Sequence, residues 1–371
     1  MSDLQKNYQV IDLHCDSADM LRSGIDLRRP NPQGHVDLPR LKKGGVGIQV
    51  FAAYVPAVIP QGEAFSFAAK KLDAISVFAR SDPALVLAES AGDCEAALTS
   101  GKIGILQAVE NGLAIENSLD KLAELRRRKV RILTLVHSAH NAWAASCTGG
   151  EGMENGLSAF GEEVVVAMND LGIIVDLSHS AESTFWAALK KSKKPVIASH
   201  SCAYALCAAP RNLKDDQLKA LGDSGGLVGV NFFSGFLSEP YRRAWETDCA
   251  DITGEGRQGA EQFRQARIPY DAPEWRDFRD RIDSRLAERL SPITVPFSLI
   301  ADHIDYAVNI AGEDAVGLGS DFDGIFAAPQ NTGGSDCYPL LQKELESRGY
   351  SHERIEKIFS RNFLRVLREY S

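Results

Sequence analysis

The stretch IIVDLSHSAESTFWAALKKSKKPVIASH, residues 173–200, holds one complete unit of the fold. Its first seven residues are a short apolar run with the β-branched content of a strand. AESTFWAALKKS (181–192) then reads as a helix, with Ser180 as its expected N-cap and Glu182 in the first turn. PVIASH (195–200) is a second apolar run. The runs are continuous rather than alternating, as expected of strands covered on both faces of a parallel sheet. Both end in histidine.

Six more runs of the same kind flank this unit. They are VIDLHCD (10–16), VGIQVFAAYV (46–55), IGILQAVE (103–110), VRILTLVH (130–137), LVGVNFF (227–233) and AVGLGSD (315–321). Helical patterns fill the gaps. SLDKLAELRRR (118–128) places Leu119, Leu122 and Leu125 at helical spacing, and FGEEVVVAMNDLG (160–172) ends on a glycine. Strand and helix alternating eight times imply an α/β fold of the (β/α)8 barrel type. A doubly wound open sheet is the weaker alternative, because no GxGxxG follows the first run. Residues 56–100 are long enough for two helices. Residues 234–292, after the seventh run, read as a βα-loop insertion and a candidate lid. Two helices are expected at the end, YPLLQKELESRG and SHERIEKIFSRNFLRVLREY, parted by Gly349 and capped by Ser351. The whole of 1–371 is expected to be one domain.

Composition narrows the function. The 371 residues are 44% hydrophobic and 25% charged, with a net charge of −9, which argues against a nucleic-acid surface. The seven cysteines are scattered without a CxxC pair, so neither a disulfide framework nor a thiolate zinc site is indicated. No apolar stretch reaches the roughly 20 residues that span a bilayer. With no apolar signal core in MSDLQKNYQV, the expected compartment is the cytoplasm, with no membrane partner.

The polar residues fall at the ends of the runs. His14 and Asp16 close the first and, on a strand, alternate side chains share a face. Glu110, His137, His179, His200 and Asp321 close five others. Barrel active sites are built at the C-terminal ends of several strands. A lone strand-end histidine is more often a satisfied core residue. Four of the eight histidines together with three carboxylates point instead to a divalent metal site. The set is rich enough for two ions sharing one carboxylate, a clamp suited to hydrolysis. His35, His303 and His352 read as structural or exposed, and His140 can reach the mouth. No GxSxG and no P-loop appears.

At this point the chain resembles the membrane (renal) dipeptidase family of binuclear zinc peptidases. The resemblance rests on DLHCD, HVDLPRLKKGGVGIQVFAAYV, VEN, LTLVHSAHNAW, VDLSH, PVIASHSCAYAL, RNLKDDQL, GLGSDFDG and NFLRV, which arrive in the family's order. It implies two Zn²⁺ per chain. His14, Asp16 and Glu110 would hold one, and Glu110 would bridge to a second held by His179 and His200. His137 would contact the scissile carbonyl oxygen without being a ligand. Arg211, with Asn212 beside it, would grip the carboxylate of a dipeptide substrate, and Asp321 would shuttle the proton. The implied reaction is attack of a metal-bridging hydroxide on a dipeptide, L-Xaa-D-Xaa included. Asn111 stands where the family usually has glycine, and Asp323 is expected only to order its loop. The sequence leaves the oligomeric state open, a homodimer included. The rivals are another metal-dependent amidohydrolase, acting on an N-acyl amino acid or lactone, and a catalytically silent metal-binding protein.

Overall fold

The computed structural model describes residues 8–60 and 62–371. It contains nine parallel strands: β1 (Val10–Cys15), β2 (Val46–Tyr54), β3 (Leu85–Ala88), β4 (Ile103–Glu110), β5 (Val130–Thr134), β6 (Ile174–Asp176), β7 (Ile197–Ser201), β8 (Leu227–Val230) and β9 (Val316–Leu318). The order β2-β1-β9-β8-β7-β6-β5-β4 closes on itself through a β2–β4 ladder from Ile48↔Gly104 to Tyr54↔Glu110. This is an eight-stranded (β/α)8 barrel, and every barrel strand overlaps one of the eight expected runs.

The ninth strand was not expected. Residues 56–100 do form two helices, Ala64–Ala79 and Ala91–Ser100, but LVLA between them is β3. It pairs with the first half of β4, Leu85↔Ile103 to Ala88↔Leu106, and β5 takes over the same edge from Gln107 onward. The 234–292 insertion therefore follows β8, the seventh strand of the barrel proper.

The interior holds Ile11, Leu13, Ile48, Val50, Ala52, Leu106, Ala108, Ile132, Ile174, Ile197 and Leu227 in one cluster. Their neighbours on each strand, such as Ile105, Val109, Leu133 and Val175, pack outward against the helices. Each fully buried aliphatic contributes about 1.5–3 kcal/mol, so this two-sided burial dominates the fold's stability. Helix Leu119–Arg127 starts at a Ser118 cap and buries Leu122 and Leu125, whereas Leu119 stays exposed. Ser180 does not cap the helix after β6. That helix is Glu182–Lys191, its N-cap is Ala181, and no side chain caps it.

The insertion is four helices, Ser234–Leu237, Glu239–Asp248, Ala250–Gln265 and Pro273–Leu290. Trp275, Phe278, Ile282, Leu286 and Leu290 recur at helical spacing and bury against Tyr241, Cys249 and Ile252. Its tip docks on the barrel rim, where Asp271 pairs with Arg22 at 2.8 Å and Tyr270 meets the Phe67 ring at 5.9 Å. The C-terminal helices are Tyr338–Ser347 and a stretch from His352 to Arg368 with a π-turn at Lys357–Arg361. Ser351 caps the second, as expected. Asn362 in NFLRV donates to the carbonyls of Glu313 and Val316, tying that helix to β9. All seven cysteines are free, and among the described residues no helix is long and apolar enough to cross a membrane.

Candidate active site

Two irregularities place His14 and His200. In β1, Ile11 and Leu13 face the interior, so simple alternation would turn His14 outward. The register slips between Asp12 and Cys15, and His14 turns into the mouth while Cys15 joins the outer layer. In β7 Ile197 faces in and Ala198 out, and a slip between Ala198 and Ser201 brings His200 inward. Such irregularities re-aim side chains at barrel rims. Glu110 needs none, because it continues the inward row of Leu106 and Ala108. His179 (φ 66°) and Asp321 (φ 63°) sit in the left-handed region, strain of the kind that collects at functional sites.

The expected residues meet. His14 Nε2 lies 3.5 Å from Asp16 Oδ2, 3.6 Å from Glu110 Oε2 and 4.0 Å from Asp321 Oδ1. Glu110 Oε1 faces the other way, 3.0 Å from His179 Nε2 and 3.5 Å from His200 Nε2, and those two nitrogens are 3.0 Å apart. His137 Nε2 is 3.7 Å from the same Oε1, so distance alone does not separate it from the histidines expected to be ligands.

The donor set fits a divalent cation. Three groups offer clustered ligand atoms: His14, Glu110 and His200; Glu110, His137 and His179; and His14, Asp16 and Asp321. His14 Nε2 and Asp16 Oδ1 are buried with no hydrogen-bond partner, an arrangement expected of atoms that serve as ligands. Burial disfavours charge on His14, yet Glu110 and Asp16 raise its pKa well above the usual histidine value. Burial, with Arg211 and His137 nearby, pushes His179 well below it. Burial also raises the Asp321 carboxyl to about 7, reinforced by Asp16 and Glu110 and opposed by His14 and an Asn231 hydrogen bond of 2.8 Å.

Arg211 is buried beside this cluster. It donates to the His200 carbonyl at 2.9 Å and to Ser201 Oγ at 3.3 Å, and its Nε has no partner. With His179, Cys147 and Tyr204 it lines a cavity of about 110 Å³. Asn212 lines it too, but its amide nitrogen is committed to the carbonyls of Cys207 and Phe236. His140 is not part of the mouth chemistry. It accepts from the Ser146 N–H and bonds the Glu151 carbonyl, bracing its own loop. His303 is likewise held between the Ala203 N–H and the Leu237 carbonyl. Asp323 accepts from Ser17 and the His35 N–H, which is loop ordering. Asn111, at φ 88°, keeps a glycine-like backbone and offsets the strain by donating to Val55 O and accepting from Leu113 N.

Sequence reading missed the buried supports Asp12, Thr134, Asp176, Ser199 and Asn231. The first and third interrupt otherwise apolar runs, VIDLH and IIVDLSH, and that was the available signal.

A closed parallel barrel with such a mouth is the architecture of a metal-dependent hydrolase. A sequence model of the membrane dipeptidase family (peptidase family M19) matches residues 1–371, and the chain belongs to that family of metallo-dipeptidases. It is 32% identical to an uncharacterized dipeptidase of Schizosaccharomyces pombe, over 97% of this chain and 80% of that one. It is 28% identical to dipeptidase 3 of Mus musculus, over 99% of this chain but 65% of the mouse protein. Among solved structures it is similar to a metallo peptidase from Rhodobacter sphaeroides liganded with a phosphinate mimic of L-Ala-D-Ala. That match has a TM-score of 0.78 and 25% identity, covering 99% and 100% of the two chains.

Proposed function

We propose that the chain is a binuclear zinc dipeptidase whose substrates include L-Xaa-D-Xaa dipeptides. One observation carries this reading: the two oxygens of Glu110 face different groups of side chains. Oε2 faces His14, itself beside Asp16, and Oε1 faces His179 and His200. His14, Asp16 and Glu110 would hold one ion, and Glu110, His179 and His200 the other. Ions held there would supply an activated water and polarise the amide carbonyl.

The chain's own residues do the rest. Burial lowers the pKa of His137, against Glu110, so its ring is neutral and can donate an N–H to the scissile carbonyl oxygen. Asp321, poised near 7, would take the proton from the attacking water and pass it to the leaving amine. Asn231 orients that carboxyl. Arg211 would pair with the substrate's terminal carboxylate through the donors left free by its two anchoring bonds. Asn212 would shape that end through the loop it clamps. The D-residue is supported by the dipeptide mimic named for the Rhodobacter sphaeroides relative. Residues 1–371 would act as a single catalytic unit, with 234–292 covering one side of its mouth.

Arg211 supplies the test against N-acyl or lactone hydrolysis. A dipeptide amide is expected to be a poor substrate of the wild type. Arg211→Ala is expected to lower kcat/KM on free dipeptides ten- to hundredfold, the loss of about 1.5–3 kcal/mol from one charged hydrogen bond, with little change on the amide. Equal losses on acid and amide would leave Arg211 as a brace for the His200 carbonyl and nothing more.

A further inference from the structure

Beneath His200, inside the barrel, lies a chain of polar groups that the ligand assignment does not use. Asp176 ends β6 and is fully buried. Its Oδ1 accepts the backbone N–H groups of Ser178 (3.0 Å) and Ser199 (2.8 Å). Its Oδ2 accepts the hydroxyls of Thr134 (2.6 Å) and Ser199 (2.6 Å). Ser199 Oγ in turn lies 2.8 Å from His200 Nδ1.

A carboxylate only accepts, and a serine hydroxyl has one proton to give. Ser199 donates that proton's hydrogen bond to Asp176 Oδ2, so towards His200 the Ser199 oxygen can only accept. The ring proton must then sit on Nδ1. Ser178 Oγ, 3.4 Å from Ser199 Oγ, accepts the backbone N–H of His200, not a ring proton, and does not alter the count. Nε2 is left bare, and Nε2 is the nitrogen that faces Glu110 Oε1 and His179 Nε2. We propose that Asp176 and Ser199 are positioning residues that lock His200 in its Nδ1–H tautomer, presenting the Nε2 lone pair to a divalent cation. The strand slip at Ala198–Ser201 is what puts two consecutive side chains, Ser199 and His200, within reach of one another. The inference rests on the reading of His200 as a ligand given under "Proposed function".

Asp176→Asn tests the direction of the chain without removing an atom. The two backbone N–H groups hold the amide oxygen at the Oδ1 position, so the NH₂ replaces Oδ2 and donates to Ser199. The Ser199 proton is then turned towards His200 Nδ1, favouring the Nε2–H tautomer, which cannot ligate. Two readouts apply to the full chain stripped of metal. In ¹⁵N spectra of histidine-labelled protein, His200 of the wild type is expected to show a protonated Nδ1 and a bare Nε2, with the pattern reversed in Asp176→Asn. In zinc titrations against a competing chelator, the wild type is expected to bind two equivalents. Asp176→Asn should keep one and bind the other about 10–100-fold more weakly, the usual scale for losing such a support. Thr134→Val removes a partner of Asp176 without turning Ser199, and should keep both affinities within a fewfold.

A wild-type His200 protonated on Nε2 would overturn the proposal, and that spectrum needs no variant to fold. Unchanged zinc affinity in Asp176→Asn, or an equal loss in Thr134→Val, would overturn it as well. A wild type that binds two ions while its His200 signals ignore zinc would instead defeat the ligand assignment.

Discussion

Glu110→Gln is expected to leave less than one equivalent of metal per chain and to lower kcat by at least about 10³-fold. Glutamine keeps the shape but supplies one neutral oxygen in place of two charged ones, and both proposed ligand sets face that carboxylate. Burial opposes charge on Glu110, yet the charge on His14 and the hydrogen bonds of His14 and His179 hold its carboxyl well below the ordinary range, so the group that is replaced is an anion. Losing the polarisation it organises removes several kcal/mol of transition-state stabilisation, and each 1.36 kcal/mol is tenfold in rate. The measurement is metal content and steady-state rate on the same preparation. Two retained equivalents with a rate within tenfold of wild type would show that Glu110 does not bridge.

His137→Ala is expected to behave differently, retaining both ions while kcat falls about 10²–10³-fold, the scale of one lost oxyanion donor. Ser138 Oγ lies 3.1 Å from His137 Nδ1 and can donate to it, leaving the ring proton on Nε2, the nitrogen that faces the cluster. Because His137 stands only 3.7 Å from Glu110 Oε1, the contrary outcome is equally concrete. If one equivalent of metal disappears with the imidazole, His137 is a ligand and the oxyanion contact lies elsewhere.

The barrel was legible because its strands are buried on both faces, which writes them as unbroken apolar runs. β3 was not legible, since LVLA is four residues between two helices and pairs with only half of β4. The convergence of His14, Asp16, Glu110, His137, His179, His200 and Asp321 followed from one rule, that strand C-termini share a mouth. How each residue gets there did not follow. Period-two alternation would have turned His14 and His200 away from the interior, and only the register slips in β1 and β7 bring them in. Local capping rules likewise favoured Ser180 over Ala181, although the loop ahead of that helix is set by its hydrogen bonds to Ala145 and Cys147. The supports were hidden for a related reason. A buried aspartate inside an apolar run signals a partner without naming it, and Asp12 finds Ser320 and Tyr338 more than 300 residues away.

Two ions sharing Glu110, both of them needed, would make activity depend on the second equivalent. The decisive experiment strips the protein with a chelator and adds zinc back in fractional equivalents while hydrolysis of an L-Xaa-D-Xaa dipeptide is followed. Activity is expected to stay low through the first equivalent, rise through the second and level at two per chain. Full activity at one equivalent, or activity in the stripped protein, would contradict it.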